Sequence, residues 1–129
     1  MFDWKKPTVQ MLGRWQPWHD GHQALFKRCV TKTGQVIIQV RDVQGASGGD
    51  GQDDNPFSWE TVFLNIEKGL FADGFTRGNE YEIMLVPNIV NITYGREVGY
   101  SFEEEVFDKS VAKISATKIR QKLRDEGNL

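Results

Sequence analysis

Thr8-Val9-Gln10-Met11-Leu12-Gly13-Arg14-Trp15-Gln16-Pro17-Trp18-His19-Asp20-Gly21-His22 changes character at Gly13. Before it, Thr8 to Leu12 is short, follows Pro7 and predicts a first strand, which Gly13 ends where the chain must turn. After it, Asp20 is a suitable N-cap for a helix whose apolar face is Ala24, Leu25, Phe26, Cys29 and Val30, and Gly34 stops that helix. The first amides of such a helix have no intrahelical partner, and they attract anions. Imidazoles at His19 and His22 would add directed donors near the positive end of the helix. Gly21 removes a side chain where a phosphate must come close, and Gly13 lets the backbone pass near a nucleotide. Arg14 offers a fixed charge. The stretch predicts a phosphate site.

Outward from this motif, Gln35 to Arg41 is β-branched and nearly continuous in its apolar content, as for a strand buried on both faces of a parallel sheet. Residues 42–54 are rich in Gly and Asp and predict a mobile loop. Asn55-Pro56 reads as an N-cap followed by Pro at the first helical position, with Trp59, Phe63, Ile66 and Leu70 as a core-facing helical stripe ending near Phe71. Glu82 to Val86 is a third strand closed by Pro87, and Ile89 to Tyr94 a weaker fourth. Ser115 caps a last helix in which Ile119 and Leu123 share a face, and Gly127 ends it. Strands alternating with helices predict a Rossmann-like, doubly wound, mostly parallel α/β sheet with helices on both faces. Ligands on such sheets bind beyond the C-terminal strand ends, where the motif lies.

At 129 residues the chain is the size of one domain, taken as 1–129. No apolar run approaches the roughly 20 residues of a membrane span, and the N-terminal residues lack a signal-like apolar core, so a cytoplasmic protein is expected. A single cysteine, Cys29, rules out an internal disulfide framework and reads as packing. His19 and His22 have no third ligand pattern nearby, so no protein-held metal is expected. The net charge of −2 conceals an asymmetry: residues 1–33 hold six Lys/Arg against two Asp/Glu, residues 42–105 three against thirteen, and residues 106–129 six against three. Basic ends with an acidic body suit a small phosphorylated ligand and not a nucleic acid or a membrane.

The motif ending at His22 resembles that of the HxGH nucleotidyltransferases, and its form is most similar to the archaeal-type nicotinamide mononucleotide adenylyltransferases. A second segment, Ile114-Ser115-Ala116-Thr117-Lys118-Ile119-Arg120, resembles the family's ISxTxxR signature, and Asn55 to Glu60 the segment that opens its second helix. The resemblance covers nearly the whole chain. It implies transfer of a nucleotidyl group, AMP from ATP, to a small phosphorylated acceptor with release of pyrophosphate. His19 and His22 would bind the triphosphate, Ser115, Thr117 and Arg120 would grip its outer phosphates, and Arg96 would add an anion contact. Mg²⁺ would bridge the phosphates, and a homo-oligomer would be in keeping with the superfamily. Two alternatives remain open. One is cytidylyl transfer from CTP to a phosphorylated alcohol. The other is a non-catalytic nucleotide-binding regulatory module, motivated by Thr61 where relatives carry Arg and by the few residues after Arg120.

Overall fold

A computed structural model describes residues 1–44, 55–96, 99–107 and 115–127. Six elements follow one another as β1 (Val9–Gly13), α1 (Asp20–Thr33), β2 (Val36–Arg41), α2 (Trp59–Ala72), β3 (Tyr81–Val86) and α3 (Ala116–Asp125). The strands form a parallel sheet in the order β1-β2-β3, with Met11 beside Ile38 and Ile38 beside Ile83. This is the expected α/β, Rossmann-like class. Both crossovers step in the same direction, and right-handed connections that do so deliver their helices to one face. The core is consistent with this: Val36, Ile38 and Val40 share a cluster with Phe26 and Cys29 of α1 and Val62, Ile66 and Leu70 of α2. Of the helices expected on both faces, α1 and α2 therefore share one.

Strand β2 departs from the expectation of burial on both faces. Val36, Ile38 and Val40 are fully buried, whereas Ile37, Gln39 and Arg41 are only half-buried. The period-2 pleat puts these two sets on opposite sides of the sheet. On the half-buried side Gln10 donates to Gln39 at 2.5 Å, so polar groups meet across that face. The segment Ile89 to Tyr94 is not a strand; Val90 and Ile92 stand exposed, and a run without neighbouring strand partners has nothing to complete its backbone hydrogen bonds as a ladder. Most of the predicted 42–54 loop, residues 45–54, lies outside the described residues. Its first residues do pack, with Val43 buried and the Asp42 amide donating to the Val86 carbonyl at 2.8 Å.

Helix ends also shift. Ser58, not Asn55, caps α2, accepting from the Thr61 amide at 3.2 Å, and Asn55 is buried ahead of it. The α2 face that enters the core is Val62, Ile66 and Leu70, one position round from the predicted Phe63. Phe63 is half-buried instead, edge-on to Trp59 and under the Arg77 guanidinium at 5.2 Å. Gly127 turns the chain after α3 with φ of 77°, as expected of a residue in the left-handed region. No helix of the described residues is long and apolar enough to cross a membrane.

Tyr81 carries a fully buried hydroxyl with no hydrogen-bond partner among the described residues, and burial pushes its pKa up to about 12. An unsatisfied buried hydroxyl costs stability that a phenyl ring does not. Tyr81→Phe is expected to be at least as stable as the wild type, by about 1 kcal/mol, and thermal unfolding checks it. A fall in melting temperature would show that the hydroxyl has a partner.

Candidate active site

The site is assembled around the turn between β1 and α1. His19, and not Asp20, is the N-cap: its Nδ1 accepts from the Gly21 amide at 3.0 Å and the His22 amide at 3.4 Å. His22 returns the favour, its Nδ1 accepting from the His19 amide at 3.2 Å. Two histidines thus form a reciprocal capping box of the kind usually built from Ser and Glu. An aspartate next in line is displaced from the cap because the imidazole already fills it. The consequence for the anion site is specific. Two amides that were expected to face an anion, those of Gly21 and His22, are taken by the His19 imidazole, and the His19 amide is taken by His22.

What the site offers in their place is two N–H groups. A neutral imidazole whose Nδ1 accepts must carry its proton on Nε2. Both rings line one cleft of about 550 Å³, together with Gly21, Leu25 and the segment 103–107. They stack at 3.6 Å between centroids, and the Trp15 indole stands edge-on to His22 at 4.7 Å. Burial, partly offset by Asp20, lowers the pKa of His19. Burial and the adjacent His19 lower that of His22 to about 3. The pair is therefore neutral at physiological pH and presents donors without carrying charge. Such a pair suits an anion and not a cation, and among the described residues no group of three His, Cys, Asp or Glu gathers as for a metal ion.

The turn that delivers the histidines is tightly held. Trp15 adopts a left-handed backbone with φ of 54°, which is costly for a residue with a bulky side chain. Its indole is buried and donates to the Gln39 carbonyl at 3.1 Å, which holds that conformation. Gly13 makes room for this ring: a Cβ there would stand 2.8 Å from the indole. Below the turn, the Trp18 indole donates to Gln23 Oε1 at 2.7 Å, and Gln23 Nε2 donates to the Gly69 carbonyl and to Asp73 at 2.5 and 2.8 Å. This buried amide fixes α1 against α2. An apolar-face reading of α1 passed over Gln23 because it is polar.

Arg120 comes from the far end of the chain. It is buried, 2% exposed, and donates from Nη1 to the Gln16 carbonyl at 2.5 Å and from Nη2 to Thr117 Oγ1 at 3.3 Å. Ser115 caps α3 by accepting from the Lys118 amide at 3.4 Å. Gln16 is itself buried, and its side chain both donates to the Phe57 carbonyl and accepts from the Phe57 amide, at 3.0 and 2.9 Å. Arg14 is exposed and reaches Asn55 Oδ1 at 3.3 Å. The turn, the 55–58 segment and α3 thus meet at Gln16. Arg96 is exposed and does not line the cleft. The cleft wall at 103–107 is held on α1 by Lys32, 2.7 Å from Glu105 and 3.0 Å from Glu103, and by Arg28, which donates to the Val106 carbonyl and lies 4.0 Å over the Phe107 ring.

No family model matches the chain. It is 25% identical to the nicotinamide-nucleotide adenylyltransferase of Methanococcus aeolicus, across 88% of this chain and 75% of the relative. It is 30% identical to the nicotinamide-nucleotide adenylyltransferase of Sulfurisphaera tokodaii, across 90% of this chain and 78% of the relative. The chain belongs to the nicotinamide-nucleotide adenylyltransferase family. It is thereby a nucleotidyltransferase. Within this adenylyltransferase, the two segments whose resemblance pointed to the family are joined by a hydrogen bond from Arg120 to Gln16, 104 positions apart.

Proposed function

We propose that the chain transfers the AMP group of ATP to the phosphate of nicotinamide mononucleotide. The acceptor is suggested by the names of its relatives. One observation supports the reading of the site: buried Arg120, in the second signature, donates to the Gln16 carbonyl in the turn that leads to His19 and His22. An ionised acceptor phosphate needs no protein nucleophile. One of its oxygens attacks the α-phosphorus of ATP in line, and the bond to the β-phosphate breaks as pyrophosphate leaves with the electron pair. Catalysis then rests on positioning two anions and on stabilising charge as it spreads.

In this reading the Nε2–H groups of His19 and His22 donate to oxygens of the α-phosphate. Their neutrality is useful, because they can donate throughout the reaction with no proton to lose. Ser115, Thr117 and Arg120 hold the leaving pyrophosphate beside the N-terminus of α3. Imidazoles committed as N–H donors leave Mg²⁺ to the phosphate oxygens and water, where it would neutralise triphosphate charge.

The test is incubation with ATP, Mg²⁺ and nicotinamide mononucleotide, following pyrophosphate and the dinucleotide product together. Equal amounts of both are expected. ATP-dependent thermal stabilisation without pyrophosphate release would instead make the chain a nucleotide-binding module. Release only with CTP and a phosphorylated alcohol would make it a cytidylyltransferase.

A further inference from the structure

We infer that Gln16 is a positioning residue for triphosphate binding, acting through Arg120. The inference rests on the role proposed above for Arg120. A buried guanidinium with a fixed fork of donors is useful to a ligand only if its direction is fixed, and here one donor is spent on the main-chain carbonyl of Gln16. That carbonyl belongs to a turn between two strained or crowded neighbours, left-handed Trp15 and buried Pro17. What stops the peptide from rotating is the Gln16 side chain, whose amide makes two opposed hydrogen bonds with the backbone of Phe57. The pairing works like one rung of a sheet ladder, with a side-chain amide standing in for a strand. The Gln16 side chain is buried and the Phe57 backbone half-buried, so loss of the amide would remove two partly shielded hydrogen bonds. Gln16 thereby ties three segments into one frame: the histidine turn, the 55–58 segment and the helix that carries Arg120. No ligand contact is needed for this role.

The test is a double-mutant cycle with Gln16→Met, which keeps length and volume but removes both hydrogen bonds, and Arg120→Met. Wild-type activity is measured first; its absence would count against the proposed function and not against the frame. In an active enzyme, Gln16→Met is expected to raise the ATP KM about tenfold, with a smaller change in kcat. In the Arg120→Met background the same change should move the ATP KM less than twofold. A purely structural role would give the same penalty in both backgrounds and overturn the inference, as would an unchanged ATP KM in the single variant. Fluorescence of Trp15 and Trp18, which flank the pair, reports whether the turn is intact. If Gln16→Met does not fold, Gln16→Leu, which also removes both hydrogen bonds with a different apolar shape, carries the same cycle.

Discussion

His22→Ala is expected to lower kcat/KM for adenylyl transfer on the order of 100- to 1000-fold, the usual loss when one donor to developing charge is removed. It should also destabilise the protein, because His22 does more than face a ligand. Its ring fills space against His19, Trp15 and Trp18, and its Nδ1 accepts the His19 amide. The two effects separate when kcat is measured well below the melting temperature of the variant. A folded His22→Ala protein with wild-type kcat would remove the imidazole from the mechanism. The neutral state of the pair makes a second, linked prediction. The folded pKa of His22, about 3, lies below the value near 6.5 of an unfolded chain. Between these values the unfolded state binds more protons, so stability falls as pH is lowered. The contribution is complete above pH 6.5 and is lost progressively towards pH 3, at up to about 1.4 kcal/mol per pH unit. His22→Ala should flatten that part of the stability curve. Activity should show no inflection from His22 between pH 6 and 8.

Arg120→Met is expected to raise the ATP KM and lower kcat together, for a combined loss on the order of 100-fold, since the cation is proposed to hold the leaving pyrophosphate. The variant also leaves the buried Gln16 carbonyl without its charged donor, at a cost of about 2 kcal/mol, or roughly 5–10 °C in melting temperature. Thermal unfolding and steady-state kinetics on the same preparation check both. Wild-type ATP KM in the folded variant would confine Arg120 to a structural role. Arg120→Lys is not expected to rescue fully, because a single ammonium cannot reproduce a planar fork that serves Gln16 and Thr117 at once.

Much of the architecture was legible along the chain. The place of β2, Gly34 as the end of α1 and Ser115 as the cap of α3 are each a local matter of residue type or backbone preference, whereas the one-sided burial of β2 is not. The errors fell where local rules compete. Asp20 and Asn55 are both good caps by composition, yet His19 and Ser58 hold the positions, because the three-dimensional course of the turn decides which side chain meets the free amides. Ile89 to Tyr94 has strand-like residues, but a strand exists only with a partner, and pairing is not a property of one segment.

The sequence by itself determined the class of sheet and the two segments that suggest a phosphate site, since both depend on residue type and spacing within a few turns of chain. It left open the state of the histidines. Only the tertiary structure decided that His19 and His22 cap each other's backbone, which commits both Nε2 atoms as donors, and that burial keeps the rings uncharged. Only the tertiary structure, too, brought Arg120 to Gln16. The physical reason is the same in both cases. Protonation and direction depend on what surrounds a group in space, and in this chain the surroundings come from residues as far as 104 positions away.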